Sequence, residues 1–223
     1  MSTTTIEAPT ITTPAGTAAV PTPVVALPRR KIDSVLIGFG VIATVVFAVA
    51  GGLLTWGHNF SNDYVHRELS SQNVSFPSAA DLTTGGRTDL LSHAGQKVDT
   101  GSEAQAYASF IAGHLDKIGG GQTYADLGTP ETAANAAVTA AVAAKAPQAQ
   151  IDALQAKATG ITNTRNTLFK GETLRGLLLS AYAWSTVGTI AGFAAVGAFI
   201  AAGLMLVLVV LGFFHYRKTI KTA

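Results

Sequence analysis

Two long runs without a formal charge constrain this chain more than any other feature. The first extends from Ser34 to Trp56, and the second from Leu177 to Phe214. As helices, at about 1.5 Å per residue, they would be about 34 Å and about 57 Å long. Since the hydrocarbon core of a bilayer is about 30 Å thick, each run is long enough to cross it. The sequence therefore predicts an all-α membrane protein with two transmembrane helices and a mainly helical extracytoplasmic region between them.

The second run is too long for the hydrocarbon core alone. Its first third is rich in hydroxyl and aromatic residues, which suits the membrane interface, so we expect residues 190–214 to cross the lipid. A re-entrant pair of helices is the alternative, because Gly188, Gly192, Gly197 and Gly203 would permit a bend. A single span is favoured, since a tight loop at membrane depth needs protein cover for its backbone groups.

The first run has an alternative interpretation as a cleaved signal peptide. Ala48-Val49-Ala50 satisfies the small-residue rule for cleavage. However, the apolar run is longer than a typical signal core and continues past that site. The sequence favours an uncleaved anchor.

Charges at the ends of the runs predict the orientation. Nine basic and eleven acidic residues lie between the spans, whereas six basic residues flank their other ends: Arg29, Arg30, Lys31, Arg217, Lys218 and Lys221. Because cytoplasmic flanks carry the excess of Lys and Arg, both termini are predicted to be cytoplasmic in a multi-pass plasma-membrane protein. The same cations are candidates for binding anionic lipid headgroups. Four aromatic residues are the predicted membrane-interface anchors: Trp56, Tyr182, Trp184 and Tyr216.

These boundaries divide the chain into five segments. They are a flexible Pro/Thr-rich cytoplasmic tail (1–31), transmembrane helix 1 (32–56), the extracytoplasmic helical region (57–176), an interfacial segment with transmembrane helix 2 (177–214), and a basic cytoplasmic end (215–223). The tail is assigned as flexible because residues 1–28 carry five of the eight prolines and too little apolar surface to offset the entropy of ordering.

Local signals predict helices in the outer region. Thr100 and Glu103 match a capping box, and three glycines, Gly119–Gly121, end the helix that follows. Thr129-Pro130-Glu131 reads as a second start, with Thr129 as the cap, and Pro147 interrupts the alanine-rich stretch after it. Residues 57–99 are less regular, with a short extended segment expected at 73–77 and a turn at 84–87. The alanine-rich helices bury little area per residue, so we expect them to dock against a partner or against each other rather than to form a free-standing domain.

The composition argues against most catalytic chemistry. Cysteine is absent, and charged residues make up only 13% of the chain. His58, Asp63 and His66 are the one close histidine–carboxylate cluster, which tempts a two-histidine, one-carboxylate iron site. On a helix, however, the two histidines lie about 12 Å apart along the axis and cannot share one ion. We therefore expect no catalytic residues, no cofactor and no metal, and a net charge of +2 gives no reason to expect nucleic acid.

Small residues in the second run predict helix packing. Gly188 and Gly192 form a GxxxG motif, and Ala194, Ala198 and Ala202 continue small residues at a spacing of four. Small side chains let two membrane helices approach closely. The partner could equally be the first span of this chain or a helix of another subunit.

Several short motifs resemble a family of small actinobacterial two-pass membrane proteins, often labelled aromatic ring-opening dioxygenases. The resemblance covers residues 35–214 and is carried by Ala50-Gly51-Gly52, Thr55-Trp56-Gly57, Ala104-Gln105-Ala106, Ile111, His114, Gln122-Thr123-Tyr124-Ala125, Arg175, Ala181-Tyr182 and Val187-Gly188. The missing iron ligands argue against that enzymatic label. In size and topology the chain is also similar to accessory subunits of the actinobacterial cytochrome bcc–aa3 respiratory supercomplex.

The resemblance implies a non-catalytic accessory subunit of that respiratory supercomplex, in contact with integral membrane subunits and with lipids. An extracytoplasmic-facing envelope scaffold or regulator outside respiration is the alternative. The third possible class of function is an extracytoplasmic metalloenzyme, whose metal would have to be held by the histidine cluster.

Overall fold

A computed structural model describes the backbone of residues 29–221 and the side chains of residues 30–218. This part of the chain is almost entirely helical, which confirms the predicted all-α class. Its elements are α1 (Arg29–Ser71), α2 (Ala79–Thr84), a 3-10 helix (Thr88–His93), α3 (Gly101–Gly119), α4 (Gly128–Ala143) and α5 (Gln148–Lys221). The flexible tail predicted for 1–31 lies outside the described residues, except that residues 29–31 already belong to α1.

Two of these helices are long and apolar enough to cross a membrane, judged by length and composition. α1 has 43 residues and α5 has 74, or about 65 Å and about 110 Å of helix. Both are continuous through their apolar runs, so the re-entrant alternative is wrong. Gly160 also lies within α5 without interrupting it. Both helices also extend well beyond the apolar runs: α1 continues to Ser71, where the sequence predicts irregular structure after residue 56.

α1 and α5 pack side by side in opposite directions. Many of their buried and half-buried positions recur at steps of three, four or seven residues, a spacing typical of a left-handed helix pair. On α1 these positions are Ile37, Gly40, Thr44, Gly51, Leu54, His58, Ser61 and Val65, and on α5 they are Leu178, Ser185, Gly188, Gly192, Ala195, Ala202, Met205 and Val209. We refer to these two sets as the seam.

The shorter helices α3 and α4 lie along the N-terminal half of α5. α3 and α4 both pack on α5, and buried apolar side chains from α1, α3, α5 and the segment 72–100 form one core. The capping box predicted at the start of α3 is confirmed: Thr100 accepts from the Glu103 amide, and Glu103 accepts from the Thr100 amide. The helix ends as expected, because Gly120 adopts a left-handed conformation with φ of 58°.

Two local predictions in this region need correction or refinement. α4 begins at Gly128, one residue before Thr129, so Thr129 lies inside the helix and caps nothing. Thr123 and Asp126 hold the preceding turn instead, through bonds of 2.7 and 2.8 Å to the Asp126 carboxylate. The extended segment at 73–77 is confirmed in reduced form, as a single antiparallel bridge between Ser75 and Lys97.

Candidate functional site: the seam and the groove above it

Glycines allow the closest approaches along the seam. A Cβ atom placed on Gly40 would lie 2.6 Å from Cγ2 of Val209, and one placed on Gly51 would lie 2.9 to 3.0 Å from the ring of Phe199. Real Cβ atoms do not come that close to neighbours, so a side chain at either position would displace the α5 side chain opposite it. Glycines of α1 therefore provide the space into which side chains of α5 pack.

The GxxxG motif of α5 faces the part of α1 that follows its apolar run. A Cβ atom on Gly192 would lie 2.8 Å from Nδ1 of His58, and one on Gly188 would lie 2.9 Å from Cβ of Ser61. Both glycines thus face α1 within this chain, at His58 and Ser61, just past the predicted first span (32–56). A helix of another subunit as their partner stays a prediction. Ala202 is also buried in the seam, and Ala198 is half-buried.

Ala194 does not belong to this set. It is exposed, whereas the adjacent Ala195 is 4% exposed and lies in the seam. The physical reason is that a strict step of four residues advances about 40° around a helix at each repeat and drifts off the contact line. Alternating steps of three and four stay on that line.

Polar side chains of α1 form hydrogen bonds inside the seam. His58 Nδ1 lies 2.7 Å from the carbonyl oxygen of Gly188, so this nitrogen donates, and Ser61 Oγ donates to the carbonyl of Trp184 over 2.5 Å. Asn62 approaches the His58 ring at 3.3 Å. Ser61 is 3% exposed, so its hydroxyl group is buried with a partner. These bonds join α1 to α5 near the level of Trp56 and Trp184 along the helix pair.

The same geometry separates the members of the predicted histidine cluster. His58 points into the seam, whereas His66 Nδ1 lies 3.2 Å from the carbonyl oxygen of Asp99. Asp63 is exposed on another face of α1. Within residues 30–218 no group of three or more His, Asp or Glu side chains is arranged to hold a metal ion.

The predicted interface anchors have different environments. Trp56 is 67% exposed and begins a stack with Phe60 and Tyr64, with ring centroids 5.5 and 6.3 Å apart. Trp184 is 51% exposed at the same end of the pair. Tyr182 is half-buried, and its backbone lies against the start of α3 rather than on an outward face.

At the opposite end, Arg30 joins α1 to Tyr216 of α5. Its Nε donates to the Tyr216 hydroxyl over 3.1 Å, which lowers the pKa of that phenol. Lys31 and Arg217 are exposed beside this contact. The side chains of Arg29 and Lys221 lie outside the described residues. The arrangement places Arg30, Lys31 and Arg217 at one end of the helix pair.

A groove of about 350 Å³ lies between α1 and α5, beyond the tryptophans. Aliphatic residues form most of its lining, with exposed Glu68, Gln72 and Ser180 also contributing. Tyr64 and Trp184 line both this groove and a smaller cavity of about 270 Å³ with Phe60 and Ser61. The aromatic stack that starts at Trp56 therefore leads into the groove.

A partly buried ion pair holds α4 against α5. Arg165 Nη1 donates to Glu131 Oε2 over 2.5 Å, and Thr162 Oγ1 donates to Glu131 Oε1 over 2.7 Å. Arg165 also donates to the carbonyl of Tyr124 and lies 4.1 Å above that ring. The bonds from Thr162 and then Arg165 hold the pKa of Glu131 below its usual value of 4.5.

We expect this pair to make the outer region acid-sensitive. Because the folded pKa of Glu131 is depressed, its contribution to stability is present above pH 4.5 and is lost as the pH falls through the folded value. Glu131→Gln should lower the unfolding temperature at pH 7 and reduce its further fall on acidification. Circular dichroism melts at pH 7 and pH 3.5 measure both. Glu172→Gln is the control, since its pair with Arg175 is exposed; an equal effect there would contradict the assignment.

Sequence reasoning missed the partners of several of these residues. His58 was considered only as a metal candidate and Ser61 was not considered, and nothing in the local sequence indicates that they face α5. If the helix had been predicted to continue past Trp56, its periodicity would have placed both residues on the same face as Gly51 and Leu54. That periodicity is the one sequence pattern by which their position could have been predicted.

Comparison with family models, with curated proteins and with solved structures gave no match.

Proposed function

We propose that this chain is a non-catalytic, two-pass subunit that stabilises a larger plasma-membrane complex. In this proposal both termini are cytoplasmic and residues 57–176 face outside. The charge distribution supports the orientation, since the basic residues flank the inner ends of both apolar runs. The cations around Arg30, Lys31 and Tyr216 would contact anionic headgroups of the inner leaflet.

The observation that carries the proposal is an exposed aromatic pair on the outer region. Tyr124 and Phe169 lie with ring centroids 5.6 Å apart and are 39% and 55% exposed. At about 1.5 Å per residue along α5, Phe169 lies about 22 Å farther out than Trp184, outside the hydrocarbon core of the bilayer. Exposed aromatic residues held on a rigid support are typical of protein–protein interfaces.

Rigidity comes from α5 itself. The helix that contains Phe169 is continuous with the helix that pairs with α1 at Gly188 and Val209. A partner that binds at the aromatic pair would therefore be held at a set height and direction relative to the membrane. This suits a subunit that fastens other proteins together.

The resemblance makes integral membrane subunits of the cytochrome bcc–aa3 supercomplex the first partners to test. Purification of the tagged full chain in a mild detergent, followed by mass spectrometry, should recover oxidase subunits in fixed proportion. A stable chain that purifies with no oxidase subunits would refute the respiratory assignment. If envelope proteins co-purify instead, and deletion leaves oxygen consumption normal, the scaffold alternative replaces it.

A single substitution should separate binding from folding. Phe169→Asp places a charge on the exposed aromatic pair and is expected to reduce co-purified partner by about tenfold, which corresponds to about 1.4 kcal/mol. Thr167→Asp is the matched control, because Thr167 is exposed on the same helix two residues away. Equal recovery of partner with both variants would show that the aromatic pair is not the contact.

A further inference from the structure

The groove between α1 and α5 has the chemistry of a site for an apolar chain. Val65, Leu69, Leu174, Leu177 and Leu178 line it, and Glu68 is the one formally charged residue in the lining. A volume of about 350 Å³ is within the usual range for small-ligand sites. A polar occupant would lose hydrogen bonds with water that this lining could not replace. The occupant is therefore apolar along most of its length.

The position of the groove indicates where that chain comes from. Its inner end is formed by Tyr64 and Trp184, which it shares with the smaller cavity beside Phe60. The stacked rings of Trp56, Phe60 and Tyr64 connect this end with the outer limit of the apolar runs. Aromatic side chains at that depth lie among lipid headgroups. An acyl chain of the outer leaflet can thus follow one continuous apolar surface into the groove.

The charge in the lining selects among headgroups. Glu68 is exposed at the groove, and Gln72 lies one turn farther out on the same face of α1. No basic side chain is among the described residues that line the groove. A carboxylate attracts an ammonium group and repels a phosphodiester that has no cation of its own.

We propose that this groove binds one acyl chain of an outer-leaflet phospholipid whose headgroup carries an ammonium group. The proposal rests on the membrane location in the proposed function, but not on any partner subunit. It gives the outer region a lipid that fills the space between its two supporting helices.

Lipid retention by the full chain tests this site. The chain is reconstituted in vesicles of equal phosphatidylethanolamine and phosphatidylglycerol, extracted in mild detergent, freed of other proteins and weighed by native mass spectrometry. We expect one retained phosphatidylethanolamine per chain. Ala181→Phe fills the groove and should reduce retention by about tenfold, whereas Ala183→Phe, on an exposed position of the same helix, should not.

A second pair of variants avoids steric disturbance of the core. Leu177 is 64% exposed and lines the groove, whereas Leu179 is 37% exposed and does not line it. Leu177→Asp should lose the lipid and Leu179→Asp should keep it, with both chains equally helical by circular dichroism. Equal retention in both pairs, no retained lipid in the wild type, or preferential retention of phosphatidylglycerol would overturn the proposal. Absence of co-purified subunits would count against the proposed function alone, because the lipid is measured on the isolated chain.

Discussion

Mild oxidation is expected to link α1 to α5 almost completely in a Gly40→Cys, Val209→Cys double variant. A Cβ atom on Gly40 lies 4.0 Å from Cβ of Val209, within the separation of about 3.5–4.5 Å found in disulfides. Cysteine at position 209 also removes the branched methyl group that would crowd the new side chain. Because the natural chain contains no cysteine, every cross-link must come from the introduced pair.

The cross-link is measured in isolated membranes with a mild oxidant. Trypsin cleaves the region between the spans, so the two halves should remain together on a denaturing gel until a reductant is added. A Gly38→Cys, Val209→Cys variant is the control, because no atom lies within 4 Å of a Cβ placed on Gly38. Equal linkage in both variants, or linkage in neither, would show that the helices do not meet in this register.

Local features of the sequence predicted the ends of α3 correctly. A capping box and a left-handed glycine act within four or five residues, so their consequences can be derived without knowing what the helix contacts. The start of α4 was predicted two residues too late, with Thr129 as the cap where the structure has Leu127, for a related reason. Thr129 suits a cap, but Thr123 and Asp126 already organise the preceding turn, and the helix begins directly after it.

Contacts between distant segments could not be derived in the same way. The sequence shows small residues at Gly188 and Gly192, but the register that brings His58 and Ser61 opposite them depends on the whole length of both helices. The same dependence explains why α1 continues past Trp56. Polar residues there resemble a loop, yet they remain helical because their inner face bonds to carbonyls of α5.

The aromatic pair and the groove could not be predicted from the sequence for a further reason. Phe169 and Tyr124 are 45 positions apart in the chain, and no local pattern indicates that their rings meet. They meet because Gly119 and Leu168 allow the end of α3 to settle on α5, which places the following turn beside Phe169. A surface that is assembled from separate segments of the chain leaves no local sequence pattern by which it could be predicted.

Two glycines of α5 should respond in opposite directions when each is replaced by alanine. A Cβ atom on Gly171 would meet the side chain of Leu115, with Cδ1 at 2.8 Å and Cγ at 3.0 Å. Leu115 is 5% exposed in the core, so it can move away only by displacing the residues packed around it. Gly171→Ala is therefore expected to lower the free energy of unfolding by about 1–3 kcal/mol, the usual cost of overpacking.

Gly176→Ala supplies the matched comparison on the same helix. No atom lies within 4 Å of a Cβ placed there, so the substitution only removes backbone freedom from the unfolded chain. It should raise the free energy of unfolding by about 0.5–1 kcal/mol. For a chain of this size each kcal/mol shifts the unfolding temperature by about 2–4 °C, which separates the two variants clearly in thermal melts.

The sign of the difference tests whether α3 is seated on α5. If the outer region moved freely above the membrane helices, Leu115 would not be held against position 171, and both alanines would stabilise the helix alike. A Leu115→Ala, Gly171→Ala double variant separates steric conflict from any other cost. The second alanine should be better tolerated in the background of the first, because the atoms it would meet have been removed.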